Sequence, residues 1–300
     1  MKTAPSKDPG GHGMSINILI STLDEGIARV PDVLLDPRPD VGYLVSHQFT
    51  DARHKIKPSG LDRPDVIVVP LEGRGVTKSR NNALRLAEGD IALFSDDDVT
   101  YSHQDFETLK RTFSEHPGVD VAIFKIRTLP GEPPYRTYPS EMARITKAQS
   151  VGTVQIGFRV ARVRESGVQF DERFGAGNDY LMFADEKIFI HDCLQAGLNV
   201  TYFPEFIVTH PYESTIRTVP KYDAPRVRVQ GAADARINGW KALPRIVKRT
   251  IRKVPVLLEE KKNPASYLFE QLSGAIYILK TGRRSPTRAP RRESRTAGST

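Results

Sequence analysis

Short apolar runs alternate with amphipathic segments through the first two thirds of the chain. Five such runs are bounded by Pro, Asp or Gly, which is typical of parallel strands covered on both faces. They comprise residues 16–22, 41–47, 65–70, 91–95 and 119–128. Two segments between them, residues 73–90 and 102–118, place their apolar positions on one helical face. The alternation predicts an α/β fold with a mostly parallel central sheet flanked by helices.

The pattern changes after residue 128. The segment "LPGEPPYRTYP" at residues 129–139 is too rich in proline for a helix or a central strand, so we predict a loop that lies over the sheet. Residues 151–162 predict one or two strands. Residues 170–204 predict a glycine-rich loop, a helix ending at Gly197 and a further strand.

The C-terminal third shows no strand pattern, and residues 265–280 predict a helix. The predicted parts are residues 1–14, a flexible tail; 15–215, the α/β domain; 216–280, a mostly helical basic extension; and 281–300, a disordered basic tail. Met14 lies directly before the first strand and is an alternative to Met1 as the start of the protein.

The composition is that of a soluble globular protein, with 39% hydrophobic and 27% charged residues among 300. No apolar run reaches the roughly 18 residues that a membrane-spanning helix needs. The N-terminus lacks the apolar core of a secretory signal. Cys193 is the single cysteine, so the chain has no intramolecular disulfide and fits a reducing cytoplasm. These features predict a cytoplasmic protein.

The formal charge of +8 is unevenly distributed, and much of the excess lies beyond residue 244. Basic segments bind nucleic acids or anionic membrane surfaces, and many are inert. The sequence has no nucleic-acid motif that interleaves aromatic with basic residues, so no nucleic-acid partner is expected.

Three consecutive carboxylates follow the fourth predicted strand in the stretch "DIALFSDDDV". Ligands of open α/β sheets bind at the carboxyl ends of the strands. Residues two apart in an extended segment point the same way, so Asp96 and Asp98 can address one ligand while Asp97 faces elsewhere. Two converging carboxylates suit Mg²⁺ or Mn²⁺, which keep positions open for phosphate oxygens. The alternative is a solvated acidic turn.

Charged residues at two helix starts extend this pattern. Arg74, Lys78 and Arg80 lie at or near the N-terminus of the helix that precedes the acidic strand, where they could bind anionic groups of a ligand. Asp185 and Glu186 open a later helix. The alternatives are surface charge for the basic residues and favourable interaction with the helix dipole for the acidic pair.

Together these motifs resemble glycosyltransferase family 2. The segment "GRGVTKSRNNALRLAEGDIALFSDDDV" is followed by "ADEKIFIHDCLQAG" and "PEFIVTHPYEST" in the family's order, and the resemblance covers residues 15–215. It implies a Rossmann-like GT-A fold. It also implies inverting transfer of a sugar from a nucleoside diphosphate donor, with Mn²⁺ or Mg²⁺ as the cofactor.

The resemblance assigns roles to individual residues. Asp96 and Asp98 would hold the metal ion and the donor diphosphate, with His210 as a further metal ligand. Glu186 would be the general base and Asp185 its neighbour. The residues expected to contact the donor are Thr22, Asp24, Glu25, Arg74, Lys78, Arg80, Asp96 and Asp97. The chain departs from the family at the end of the second strand, where Ser46, His47 and Gln48 replace an acidic residue that reads the base, so the nucleotide stays open.

The expected acceptor is a hydroxyl group on a glycan or a lipid-linked molecule, with a role in cell-surface polysaccharide synthesis. A sugar-phosphate nucleotidylyltransferase is the alternative, but such enzymes have a Gly-rich, Arg-containing loop after the first strand, and "STLDEGIARVPD" has no such loop. A nucleic-acid-binding protein is the second alternative.

Two C-terminal segments, "PRIVKRTIRKVPVLL" and "SYLFEQLSGAIYILKTGRR", combine apolar with basic residues. Such segments can bind the inner leaflet of a membrane. The same apolar residues could instead pack onto the catalytic domain.

Overall fold

The computed structural model describes residues 13–213 and 215–282. Most of the predicted tails, residues 1–12 of 1–14 and residues 283–300 of 281–300, lies outside this part of the chain. The chain forms two compact units. The first contains the residues up to Ala143, together with Gly152–Val160 and Thr201–Tyr212. The second contains Arg144–Val151, Ala161–Val200 and the residues from Glu213 onward, so it crosses the predicted boundary at residue 215.

The element bounds follow the predicted alternation. The strands are β1 Ile16–Leu23, β2 Val41–Phe49, β3 Val66–Glu72, β4 Ile91–Asp96, β5 Val121–Arg127, β6 Ala143–Arg144, β7 Ile156–Arg159 and β8 Val200–Thr209. The helices are α1 Val30–Val33, α2 Val76–Leu86, α3 His103–Glu115, α4 Val160–Ser166, α5 Asp185–Gln195, α6 Thr215–Thr218, α7 Ala224–Asn238, α8 Ala242–Glu259 and α9 Pro264–Thr281. Short 3₁₀ helices span Asp24–Arg29, Ala52–His54, Ser59–Leu61, Thr153–Gln155 and Gly239–Lys241.

The strands form one sheet in the order β3-β2-β1-β4-β7-β5-β8-β6. β1 pairs in parallel with β2 and β4, and β2 pairs in parallel with β3. β7 is antiparallel to both β4 and β5, so the sheet is mixed. The predicted α/β fold with a central sheet is confirmed. β1 is buried on both faces, which explains its continuous apolar sequence.

The prediction of strands across residues 151–162 holds for β7 alone. The chain enters α4 at Val160, and Val160 and Val163 are both buried. A spacing of three places these two side chains on one side of a helix, whereas in a strand they would point to opposite faces. The short apolar run therefore contains a change from strand to helix that strand periodicity does not reveal.

Two glycines allow α7 and α9 to pack closely in the second unit. A Cβ atom added to Gly231 would lie 2.6 Å from the carbonyl carbon of Gln271, and one added to Gly274 would lie 3.0 Å from that of Arg228. Both contacts are with backbone atoms, which cannot move as a flexible side chain does. The glycines therefore set the distance between the two helices.

A buried ion cluster joins further segments of the second unit. The Arg236 guanidinium donates to Asp171 at 2.8 Å and to Asp192 at 2.6 Å. Arg173 donates to the same Asp171 carboxylate at 2.6 Å. Burial acts to raise the pKa of Asp171, but hydrogen bonds from Arg173 and Arg236 hold that pKa below its ordinary value. The cluster thus keeps its charges paired where water is excluded.

Gly231→Ala is expected to lower the free energy of unfolding by about 1–3 kcal/mol, because the new methyl group must separate two packed helices. Chemical denaturation monitored by circular dichroism measures the change. Gly118→Ala is the control, since nothing lies within 4 Å of its added Cβ. Equal stability of the two variants would show that α7 and α9 do not pack at this distance.

Candidate active site

Three predicted metal ligands meet in the first unit. Asp96, Asp98 and His210 each offer a ligand atom, and these atoms lie within 4.8 Å of one another. Asp96 ends β4, Asp98 follows it, and His210 comes directly after β8. The group therefore lies at the carboxyl end of β4, where open α/β sheets bind ligands.

A backbone bridge brings His210 to the acidic residues. Thr100 N donates to Thr209 O, and Thr209 N donates to Thr100 O, both at 2.9 Å. The His210 backbone N–H also donates to Arg127 O at 3.0 Å. These bonds hold together residues that lie more than eighty positions apart in the sequence.

The imidazole of His210 is oriented as a ligand. Its Nδ1 lies 2.6 Å from Pro211 O, and a carbonyl oxygen can only accept, so Nδ1 carries the proton. Nε2, which carries a lone pair in the neutral imidazole and a proton in the charged one, lies 3.5 Å from Asp98 Oδ1. Two acceptors that face each other in this way require a cation or a proton between them. A neutral histidine with its other nitrogen bound to a carbonyl is the usual form of a metal-binding histidine.

The electrostatics of Asp98 agree with this arrangement. Burial first, and then the neighbouring charge of Asp96, raise the pKa of the Asp98 carboxyl, although His210 acts in the opposite direction. A divalent cation would reverse both effects by stabilising the ionised form. Two carboxylate oxygens and one imidazole nitrogen are a donor set that suits Mn²⁺ or Mg²⁺.

The basic residues predicted at α2 have different surroundings. Arg80 is buried, and its Nη2 lies 3.2 Å from Asp96 Oδ1. It therefore offsets the charge of one carboxylate in the metal group. Arg74 and Lys78 are exposed at the N-terminal end of α2.

Asp97 contacts a separate set of residues. Its carboxylate accepts hydrogen bonds from Thr22 Oγ1 and, at 2.6 Å, from Arg29 Nη2. A Cβ atom on Gly26 would lie 2.7 Å from Thr22 Oγ1 and closer still to the Asp97 carboxylate. Only glycine leaves room for this contact. Sequence reasoning missed Arg29 and Gly26, because neither belongs to a motif and both are placed by the fold.

The ends of β1 and β2 form a third group. Asp24 has a φ of 48° and accepts from Thr50 N at 2.7 Å, while His47 Nε2 lies 3.0 Å from Asp24 O. The Glu25 carboxylate lies 3.2 Å from His54 Nδ1. The predicted donor residues Asp24 and Glu25 thus already contact other parts of the first unit.

Two buried polar atoms lie at this end of the sheet. Within the described part of the chain, Ser21 Oγ and Gln48 Nε2 have no hydrogen-bond partner. Buried polar groups nearly always have one, so each such atom requires an explanation. The side chains of Gln48 and Ser46 point to one face of β2 because they are two residues apart. In the sequence, Gln48 is recognisable only as a polar residue near the end of an otherwise buried strand.

The predicted loop at residues 129–139 is attached to the same unit. The Glu132 carboxylate accepts from Leu129 N and Tyr212 N, each at 2.9 Å. The Tyr135 ring meets His210 edge-on, with centroids 5.7 Å apart. A pocket at this loop is lined by Ile126, Thr128, Glu132, Pro134, Tyr135, Arg136, Tyr138 and Phe206. No sequence motif predicted this pocket.

Asp185 and Glu186 begin α5 in the second unit. Asp185 is buried and Glu186 is partly exposed. Ala184, the preceding residue, has a φ of 73°, in the left-handed region that a residue with a Cβ seldom adopts. Such strain is concentrated at functional sites.

Both the sequence and the structure are similar to those of known glycosyltransferases. The sequence profile of glycosyl transferase family 2 matches residues 51–183. The crystal structure of S. aureus TarS is 18% identical with a TM-score of 0.50, and the alignment covers 74% of this chain and 40% of that chain. TarS 1–349 in complex with UDP and with UDP-GlcNAc is 17% identical in each case with TM-scores of 0.50. The two alignments cover 74% of this chain and 66% and 67% of those chains. No curated protein sequence matches the chain.

The fold is an α/β fold of the GT-A type, as predicted. Residues 51–183 match glycosyl transferase family 2, which confirms the predicted resemblance. It spans two fifths of the length of the first TarS chain described above.

Gly26→Ala should displace the Asp97 carboxylate from Thr22 and Arg29. Because hydrogen bonds to charged groups contribute about 1.5–3 kcal/mol, we expect a loss of that order in the free energy of unfolding. Thermal unfolding measures it. Gly42→Ala in β2 is the control, since the nearest atom to its added Cβ is at an ordinary 3.5 Å. If Gly26→Ala is as stable as the control, the contact is not formed in solution.

Proposed function

We propose that this protein is an inverting glycosyltransferase that moves a sugar from a nucleoside diphosphate donor to an acceptor hydroxyl. The observation that carries the proposal is the convergence of Asp96, Asp98 and His210 at the carboxyl end of β4. The match of residues 51–183 to glycosyl transferase family 2 supports it.

Asp96, Asp98 and His210 would hold the divalent ion. When bound, the ion would neutralise the negative charge that develops on the leaving diphosphate. The protein's own contribution is to keep the three ligands in place: Arg80 contacts Asp96, and the Thr100–Thr209 bridge positions His210. Such preorganisation is the main source of electrostatic stabilisation in a transition state.

The donor we propose is a uridine diphosphate sugar. TarS 1–349 has been solved in complex with UDP and with UDP-GlcNAc. In this chain, the buried amide of Gln48 and the Ser21 hydroxyl could complete their hydrogen bonds with the polar groups of a nucleoside at the ends of β1 and β2. Arg74 and Lys78 are exposed and could meet the phosphates.

Glu186 is proposed as the general base. An acceptor hydroxyl has a pKa far above neutral, so a carboxylate must take its proton as the oxygen attacks the anomeric carbon. Attack from the face opposite the leaving group inverts that centre. Asp185 precedes Glu186 on α5 and is buried, so its proposed part is to orient the start of the helix.

The acceptor is proposed to be a glycan or a lipid-linked molecule in cell-surface polysaccharide synthesis, with the enzyme in the cytoplasm. The pocket with Tyr135, Tyr138 and Phe206 supports a saccharide acceptor, because aromatic rings offer an apolar surface to the faces of sugars.

The first test is metal-dependent release of nucleoside diphosphate from a panel of nucleotide sugars, beginning with UDP-GlcNAc. Asp98→Asn should lower kcat by about 10²–10³-fold, since one electrostatic contact with the developing charge contributes about 2.7–4 kcal/mol.

Titration with Mn²⁺ followed by calorimetry should show weaker binding to Asp98→Asn and His210→Gln. Glu107→Gln on α3 is the control, because this carboxylate is not part of the metal group and its loss should leave Mn²⁺ binding and kcat unchanged. Full turnover in the presence of a chelator would rule out the metal-dependent mechanism.

Glu186→Gln tests the base. The amide keeps the shape of the side chain and cannot accept the proton, so transfer should fall by about 10²–10⁴-fold while donor binding stays unchanged. Single-turnover rates and donor affinity separate the two effects. Glu165→Gln on α4 is the matched control. If Glu186→Gln transfers sugar at the wild-type rate, another group is the base, and Asp185→Asn is the next variant.

A further inference from the structure

Helix α8 has more apolar surface than it buries. Its buried residues, Ala242, Ile246, Thr250 and Leu257, form one face. Val247, Ile251 and Leu258 are exposed, and Ile251 is 66% accessible. Spacings of four and seven residues place these three side chains on a single line along the helix. This line lies about a third of a turn from the buried face, so α8 carries a second, uncovered apolar surface.

The same line continues before the helix. Trp240 lies seven residues before Val247, in the 3₁₀ helix that leads directly into α8, and is 71% exposed. It is the single tryptophan of the chain. We call Trp240, Val247, Ile251 and Leu258 the α8 stripe. At 1.5 Å per residue its length is about 27 Å.

Basic side chains border the stripe on the side away from the buried face. Lys248 and Arg252 are exposed there. Residues 241–300 contain fifteen Lys and Arg and four Glu, whereas the whole chain has a net charge of +8. The other 240 residues are therefore slightly acidic, and the positive charge of the protein is concentrated around this helix and beyond it.

We propose that the α8 stripe binds the surface of a membrane that contains anionic lipids, with α8 lying in the plane of the interface. An apolar line flanked by Lys and Arg is the pattern of interfacial helices. Tryptophan prefers the boundary between headgroups and acyl chains. Within residues 13–213 and 215–282, no helix is long and apolar enough to cross a bilayer.

Charge favours a membrane over a second copy of the chain as the partner. If two stripes packed against each other, the flanks with Lys248 and Arg252 would face like charges, which is unfavourable in a desolvated interface. An anionic surface attracts the same side chains and gains about fivefold in binding per Lys or Arg. This proposal concerns a surface outside the metal group and does not depend on the proposed reaction.

The experiment uses the full chain and the fluorescence of Trp240. Vesicles of phosphatidylcholine with 30 mol% phosphatidylglycerol, roughly the anionic content that makes such contacts favourable, should shift its emission to shorter wavelength. Pure phosphatidylcholine should shift it much less. Brominated acyl chains should quench the emission, and salt should weaken binding because it screens the basic flank.

Ile251→Glu places a charge in the stripe and should weaken partitioning by at least about tenfold. Ile56→Glu is the matched control, since Ile56 is also 66% exposed but lies in a loop of the first unit. Lys248→Glu with Arg252→Glu should weaken binding to anionic vesicles alone. Circular dichroism checks that each variant is folded.

Two results would overturn the proposal. One is unchanged Trp240 emission, with the protein remaining in the supernatant after sedimentation with anionic vesicles at low salt. The other is a dimer in light scattering that Ile251→Glu converts to a monomer and that does not bind vesicles. In that case a second copy covers the stripe.

Discussion

Repulsion among three consecutive carboxylates is the constraint on which the candidate site depends. Asp96 and Asp98 converge on one candidate metal group, whereas Asp97 contacts a separate set of residues. Asp96 contacts Arg80, Asp97 contacts Thr22 and Arg29, and Asp98 faces His210. Because Asp98 faces His210, a second candidate metal ligand, its charge is the one that a bound ion would compensate. Asp96 and Asp97 each have an arginine partner within the fold, so Asp98 is the carboxylate that depends most on a ligand.

Local pattern was sufficient for most of the fold in the first unit. The apolar runs that became β1, β2 and β4 are continuous because parallel strands are buried on both faces. Asp96 and Asp98 converge as the sequence predicted, although β4 ends at Asp96 and Asp98 lies in the turn that follows. Contacts between distant segments were not predictable in this way. Arg29 and Gly26 acquire their surroundings only when β1 and β4 are adjacent, and Gln48 acquires its own only when β2 lies beside β1. Single-sequence periodicity has no information on these adjacencies. Where the sequence did indicate a distant residue, His210, the signal came from family resemblance.

The second unit shows a different limit. The apolar residues of α8 have similar spacings on two faces, so the sequence predicts an amphipathic helix but not which face is buried. In the structure Ile246 and Leu257 are buried, whereas Ile251 and Leu258 are exposed to solvent. The choice is linked to Arg249, which reaches Asp234 and Gln271 and so fixes the rotation of α8 against α7 and α9. A polar contact thus decides which apolar face is exposed.

Close approach of α7 and α9 makes this selection possible. Gly231 and Gly274 bring the two backbones together, so Gln271 lies deep in the unit, with Arg249 and Thr250 of α8 bonded to its side chain. A buried glutamine with these partners restricts the register of all three helices, because any slip would leave its amide unsatisfied. The register then determines that Val247, Ile251 and Leu258 face outward together. Their alignment into one apolar line is therefore a consequence of polar contacts inside the unit, and it persists as long as those contacts do.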